Sequence, residues 1–350
     1  MLAVSLTVAS PIRSQELLHF GINEIDSRSI GMGLTGIVDA YGPLSVLRNP
    51  ALNRSGRALS FKPLFQWNGN NKWGDVIAIP RQLSGTGNGS SSVIPNSLLG
   101  LTSRYFGVIV QGKGTTVGYI HSNRDELLFN DGFGLFDPQP KFYGRHVESD
   151  FLFAGYTFNI THRSRVGVLL KNFRMMDTGL RSINATSLRS ANDVDDFLDE
   201  EGSRVETNVG IDLGALFTMN ILRRPITVGV AINNVATDSL FGFKPPTYVN
   251  VGLALVPFSG LLLEANVVNR LENDNNSSDV EFRFGVEYIF SGIRIRSGIA
   301  GENASFGVGI GGEGLSLDYG VIEVDHNSLN GGIVKETFQS FQISVSGRFY

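Results

Sequence analysis

The chain has no cysteine among its 350 residues. Disulfide staples, thiolate-bound zinc, iron–sulfur clusters and a thiol nucleophile are therefore excluded. Charge is sparse: Asp, Glu, Lys and Arg make up 18%, and 29 basic against 33 acidic residues leave a net charge of −4. Without a basic excess there is no global field to attract nucleic acid, and no such partner is expected. Long apolar runs are missing too. The longest uncharged apolar stretch, Thr247–Leu263, is broken by Asn250, Gly252, Pro257, Ser259 and Gly260. Pro257 would delete a mid-helix hydrogen bond, so two strands joined by a turn fit better than a membrane-crossing helix. The histidines (His19, His121, His146, His162, His326) are scattered, with no H-E-x-x-H and no pair at helical spacing. No metal, cofactor or enzymatic activity is expected from them.

Glycine and phenylalanine are abundant instead, with 42 Gly and 24 Phe. That pairing fits many short strands and tight turns. From about residue 70 onward the pattern is alternation at period two. In Val280–Tyr288, Val280, Phe282, Phe284, Val286 and Tyr288 fall on one face, and Glu281, Arg283, Gly285 and Glu287 on the other. Val205–Met219 sets Val205, Val209, Ile211, Leu213 and Phe217 against Glu206, Asn208, Gly210, Asp212 and Gly214. Ile293–Ala300 opposes isoleucines to Arg294, Arg296 and Gly298, and Ala304–Gly311 opposes Phe306, Val308 and Ile310 to glycines. A helical period would scramble every one of these faces.

Fourteen candidate strands follow: 73–81, 104–112, 115–127, 147–159, 165–176, 205–219, 226–234, 247–255, 261–270, 280–289, 293–300, 304–311, 315–324 and 336–349. Short turns such as Lys113–Gly114, Ser291–Gly292 and Gly312–Gly314 alternate with long polar loops at 82–103, 128–146, 177–204, 235–246, 271–279 and 325–335. This is the organisation of a transmembrane antiparallel β-barrel, with the apolar face on lipid and the polar face on the lumen. A soluble β-sandwich also alternates, but one sandwich core could not bury an apolar face repeated over so many strands. The acidic loop 177–204 reads as solvated, with a short helix from Val194 to Leu198.

Leu2–Ala9 is an apolar run ending in small residues, so residues 1–15 read as a signal peptide whose basic n-region is missing. One further strand-like run, Ala58–Trp67, precedes the fourteen. A fifteenth strand would break the even parity of single-chain barrels. Residues 16–72 are therefore assigned to a plug in the lumen, and 73–350 to the barrel.

The run Arg28-Ser29-Ile30-Gly31-Met32-Gly33-Leu34-Thr35-Gly36, followed by Asn49-Pro50-Ala51-Leu52, resembles the N-terminal signature of the FadL-like outer-membrane proteins. The likeness is nearer to their PorV/PorQ branch, where a Gly-Met-Gly segment precedes an Asn-Pro-Ala segment by a similar interval. Phe284–Tyr288, Leu315–Tyr319 and the end at Gly347-Arg348-Phe349 resemble the same branch. Between the two N-terminal motifs that branch carries paired acidic residues, whereas this chain has Asp39 alone.

The resemblance implies a bacterial outer-membrane barrel, in contact with outer-membrane lipid, with its N-terminal segment folded inside. It also implies a passive channel for small hydrophobic molecules. Two alternatives stand beside that: a component or partner of type IX secretion, and a structural barrel without transport. Gly31, Met32, Gly33, Asn49, Pro50 and Ala51 are the plug or gate candidates. Gly31–Gly36 also matches G-x-G-x-x-G, but it lacks the preceding strand and the acid ~20 residues on that dinucleotide binding requires. Asn before Pro favours an extended turn whose amide bonds nearby backbone. The lumen-facing candidates are Glu206, Asp212, Glu264, Glu281, Arg283, Glu287, Arg294, Arg296 and Asp318, where opposite charges are expected to pair across neighbouring strands.

Overall fold

Sixteen strands among the described residues account for the alternation. They are β1 (Leu59–Asn70), β2 (Ser97–Gly112), β3 (Thr115–Asn130), β4 (Lys141–Asn159), β5 (Ser164–Asp177), β6 (Arg181–Asn184), β7 (Arg204–Ile221) and β8 (Arg224–Asn233). The second half supplies β9 (Thr247–Leu255), β10 (Leu261–Leu271), β11 (Ser278–Phe290), β12 (Ile293–Ala300), β13 (Asn303–Gly311), β14 (Leu315–Asn327), β15 (Ile333–Val345) and β16 (Gly347–Phe349). This is a computed structural model describing residues 26–39, 44–53, 59–70, 97–130, 141–179, 181–184, 187, 191–199, 204–221, 224–237, 245–271, 278–312, 314–327, 333–345 and 347–349. The expected signal peptide at 1–15 lies outside the described residues.

Neighbours pair antiparallel in chain order, and β1 closes the ring against β15 and β16 to give a closed 14-strand barrel. Strand β6 stands off the ring, bonded to the far end of β4, while β15 and β16 together form one stave. Every expected strand from 104–112 onward is present.

The first stave is a correction. Residues 59–70, assigned above to the plug, form β1, and 73–81 lies outside the described residues. The alternation in β1 fits a stave: Phe61 and Phe65 point outward and are exposed, while Leu64 and Gln66 point inward and are buried. Pro63 does not stop this strand, although proline cannot donate to a ladder. It sits where the pairing of β1 changes from β16, ending at Phe61↔Gly347, to β15, starting at Leu64↔Ser344. A missing N–H costs least at such a break. The even strand count was sound, but the argument from it discarded the wrong strand.

The outer and inner rows are set apart by exposure. On β11, Phe282 is 68% exposed whereas Glu287 is 1% exposed. Exposed phenylalanines beside buried carboxylates invert the distribution of a water-soluble protein and match a barrel with an apolar exterior. The same division runs through β9, β10, β12 and β13, with Val251, Leu253, Ile295, Ile299 and Phe306 outside. Inside lie Asn250, Glu264, Arg296 and Ser305.

Two asymmetries qualify the expected polar lumen. First, part of the inner face of β1–β5 is apolar: Leu64, Tyr105, Ile109, Ile120, Phe151, Phe153 and Leu169 form a core with Leu44, Val46 and Leu47. Beyond that core β3–β5 carry buried Arg124, Glu126, Arg145, Lys171 and Asp177, and the inner rows of β10–β15 are charged and polar. Second, the wall is uneven. Strands β2, β3, β4 and β7 have 16, 16, 19 and 18 residues, against 10, 9, 8 and 9 for β8, β9, β12 and β13. A span needs about 9–11 residues, so the β2–β7 side projects well past the bilayer. The helix expected in the acidic loop is α3 (Ala191–Asp199), and it packs Phe197 and Leu198 against Gly144 at that projecting end. Helices α1 and α2, described next, belong to the plug.

The facing of β11 is directly testable. Phe284→Arg places a charge on lipid and should cost about 2–4 kcal/mol at mid-membrane depth. It should abolish the heat-modifiable compact band in gels of extracted membranes. Arg283→Phe, one residue away but inside, should keep that band.

Candidate functional site

The plug is built from short capped pieces because none of it has a sheet to join. Asp26 caps α1 (Ser27–Gly31), its side chain accepting from the Arg28 N–H at 3.2 Å. Gly33 then turns the chain with φ +65°, a conformation that favours glycine. Helix α2 (Ser45–Arg48) leads to a 3-10 turn over Pro50–Leu52, capped by Asn49, whose Oδ1 accepts from the Ala51 N–H at 3.0 Å. Proline at the first position of that turn suits its fixed φ. Asn49 also donates to the Ile37 carbonyl at 2.9 Å and the Ala215 carbonyl at 3.4 Å, tying both halves of the plug to β7.

Glycines in the wall form two flat beds for these pieces. Gly285, Gly298, Gly307 and Gly320 lie on β11–β14, and a Cβ on any of them would strike the backbone of Ser27 or of Gly31–Gly33. The approach is mutual: a Cβ on Gly31 would lie 2.7 Å from the Gly307 Cα, and one on Gly33 would lie 2.5 Å from the Ile299 nitrogen. Across the lumen, Gly167 and Gly214 press in the same way on Asn49, Pro50 and Ala51. The two motifs singled out in the sequence thus lie where plug backbone rests directly on wall backbone.

Polar groups complete the seat. Glu264, buried on β10, accepts from the N–H groups of Gly36, Ile37 and Val38 at 2.9, 2.9 and 3.2 Å. Such an anionic cup is a strong arrangement because each bond is charge-assisted. Gly33 N–H donates to Ser305 at 2.7 Å, Ser27 N–H to Gln342 at 3.1 Å, and Thr157 to the Pro50 carbonyl at 2.8 Å. Arg28 forks onto Glu287, with Nε 3.0 Å and Nη2 2.9 Å from its two oxygens, and also binds Asp39. Arg296 meets the same Glu287 at 2.6 Å and Asp318 at 2.7 Å. A continuous chain, Asp39–Arg28–Glu287–Arg296–Asp318, therefore joins the plug to three strands. Burial works against the Arg28 charge, yet Glu287 and Asp39 together raise its pKa well above the ordinary arginine value.

All nine lumen candidates lie on inner rows. Glu264, Glu287, Arg296 and Asp318 touch the plug or its charge chain. Arg283 donates to the Leu34 carbonyl at 3.3 Å and to Glu281 at 2.8 Å. Asp212 pairs with Lys171 at 2.6 Å, away from that chain. Glu206 and Arg294 are half-buried on their rows and outside the cluster. Of the plug candidates, Gly31, Met32 and Gly33 rest on the first glycine bed, and Asn49, Pro50 and Ala51 on the second.

Arg28, Arg48, Lys171 and the inner aromatics of β2 and β4 were not singled out from sequence. Arg48 crosses the plug to donate to the Thr35 carbonyl at 2.5 Å. The aromatics carried a readable signal, since Tyr105–Val110 and Phe151–Phe153 are apolar on both faces. A pocket of about 540 Å3 among Val251, Leu253, Phe282 and Phe284 opens chiefly on the outer surface, away from the plug.

The charge chain should dominate the seating. Glu287→Ala leaves Arg28 and Arg296 buried together and should destabilise the seated state by about 3–5 kcal/mol. A large drop in the temperature at which the compact gel band disappears would report it. Asp26 behaves differently, because burial pushes its carboxyl up against the lowering pull of Arg48 and Arg28. An acid with a raised folded pKa weakens the fold above that pKa, and the loss is relieved as pH falls through it. Asp26→Asn keeps the cap, so it should match or exceed the parent in stability at neutral pH and lose that margin in mild acid.

No protein-family model matches this chain. No curated protein sequence matches it either. Solved structures do. The Ralstonia pickettii toluene transporter TbuX is 14% identical, with 95% of this chain and 100% of that one aligned at a TM-score of 0.59. The P. putida toluene transporter TodX is 10% identical, with coverages of 93% and 98% and a TM-score of 0.56. A Pseudomonas aeruginosa FadL homologue is 12% identical over 93% and 98%, with a TM-score of 0.50. At such identities the likeness is one of fold, and the fold this chain shares is that of the FadL-type barrels.

Proposed function

We propose that this chain is a bacterial outer-membrane channel that passes small hydrophobic molecules, with residues 26–53 as the core of the gate. The observation that carries this reading is the divided lumen. The plug is fastened to the β10–β15 half by ion pairs and backbone contacts, while on the β1–β5 half its Leu44, Val46 and Leu47 pack on an apolar patch of the wall. A polar fastening on one side and a greasy surface on the other suit an apolar solute passing between plug and wall. The solved structures of this fold include a toluene transporter and a monoaromatic hydrocarbon channel, which supports the same solute class. No enzymatic role is assigned. The PorV/PorQ and type IX secretion reading draws on motif resemblance alone, and no contact in the structure favours it.

The absence of cysteine makes the gate testable. Ser27 on α1 and Ser340 on β15 have their Oγ atoms 2.5 Å apart, close enough for a disulfide after replacement of both by cysteine. In proteoliposomes, oxidation of the Ser27→Cys/Ser340→Cys protein should cut uptake of a small aromatic hydrocarbon severely, and a reductant should restore it. Equal uptake in both redox states would mean that α1 does not move, and no uptake in either would end the channel reading.

A further inference from the structure

We infer that the outer wall carries a binding site for one acyl chain of a membrane lipid, in the groove that crosses β9–β12. Such a site depends on the barrel alone and stands whatever passes through the lumen. The groove holds about 540 Å3 and its rim is apolar, with Val251 and Leu253 on one side and Phe282, Phe284 and Ile299 on the other. Its floor is low because of Ala265. That residue pairs with Leu253 on β9 and with Phe284 on β11, so a single methyl group lies between two large side chains. Gly301 lowers one end in the same way, where its N–H donates to the Phe282 carbonyl at 2.9 Å.

The groove is a blind depression and not a passage into the lumen. Asn266 and Arg283 also line it, but their side chains turn inward. Asn266 is buried on the inner row, and Arg283 donates to the Leu34 carbonyl of the plug. What they give to the outer surface is therefore backbone. That backbone is closed, since Asn266 pairs with Gly252 on one side and with Arg283 on the other in unbroken ladders. The groove is filled from the bilayer.

Its depth follows from β11. Tyr288 and Phe290 end the outer row as exposed aromatics beside the Ser291–Gly292 turn, which suits the girdle at a membrane interface. Phe282 stands eight residues before Phe290. At ~3.3 Å per residue and a tilt of ~40°, it lies roughly 20 Å above that girdle, inside an apolar band ~25 Å tall. The groove is thus at hydrocarbon depth, in the leaflet on the long-loop side.

Depth and shape together select the occupant. No water is present there, and a void would forfeit the dispersion contacts of every side chain that lines it. Tails and side chains are equally apolar, so a tail gains nothing from the hydrophobic effect by touching the barrel, and packing decides where it stays. A chain in the groove meets side chains on two sides and backbone beneath. A chain on the even wall elsewhere meets one surface.

Native mass spectrometry of the full-length protein, released from tetraethylene glycol monooctyl ether micelles and titrated with dioleoylphosphatidylcholine, tests this. The first lipid should bind roughly tenfold more tightly than the second. Ala265→Phe fills the groove and keeps the outer row apolar, so the compact gel band should persist while the first lipid weakens about tenfold, to the level of the second. Phe282→Ala, which removes one wall instead, should also weaken it. Ala154→Phe makes the same change on the exposed outer row of β4, far from the groove, and should leave the first lipid untouched. Equal affinity for first and second lipids in the parent would overturn the site. So would a first lipid held as tightly by Ala265→Phe and Phe282→Ala as by the parent, or an equal loss in Ala154→Phe. A parent dimer that Ala265→Phe dissociates would give the groove to a second copy of the chain and overturn it likewise.

Discussion

A carboxylate held between two guanidinium groups, deep inside a closed barrel, is the contact on which the plug's position depends. Glu287 alone would be an uncompensated buried charge, and so would Arg28 or Arg296. Each is tolerable only because the others stand within hydrogen-bond reach, so the plug cannot leave the wall without exposing all three. The Glu264 cup adds a second constraint of the same kind, because its partners are plug N–H groups that have no strand to bond. An irregular segment inside a barrel must find a partner for every backbone group. Here the wall supplies those partners from side chains of β10, β13 and β15.

The glycine beds explain why the plug lies so close. Hydrogen bonds from the Gly33 nitrogen or the Ser27 nitrogen to wall side chains are possible only if backbone approaches backbone. A Cβ at Gly298 or Gly307 would keep them apart. The alternation of glycine with apolar residues in β11–β14 therefore has two outcomes at once. It presents a continuous apolar surface to lipid and a nearly flat one to the lumen. The charged side of the lumen fastens the plug by ion pairs, while the aromatic patch of β1–β5 packs on Leu44, Val46 and Leu47.

Much of the barrel was legible in the sequence because a period of two is a local property. Neighbouring residues on one strand reveal which face is apolar, and that sufficed for the staves of the ring from β2 onward, though not for β6, and for the inner placement of Glu264, Glu287 and Arg296. Pairing partners were not legible. Arg28 and Glu287 are 259 positions apart, and nothing local in either marks the other. The first stave was lost for a specific reason: Ala58–Trp67 reads as a strand, but counted with the fourteen others it makes an odd number, and only the ladder shows that β1 pairs directly with β2. The apolar half of the lumen was lost because both faces of Tyr105–Val110 and Phe151–Phe153 are apolar, which erases the alternation that marks an inner row. Asn49 and Pro50 read correctly as a backbone-bonding turn, but the wall glycines that seat them could be found only in three dimensions.

The break at Pro63 also bears on the order of assembly. Strand β1 follows the plug after a link of only a few residues, and it forms the closing joint with β15 and β16. The plug fills the space those strands enclose and touches β5, β7 and β10–β15, so it cannot be threaded in once the joint is sealed. Closure must therefore come after the plug has met its wall. That joint is made in two pieces, with seven residue pairs on one side of Pro63 and three on the other. Pro63 thus marks where the cylinder shuts.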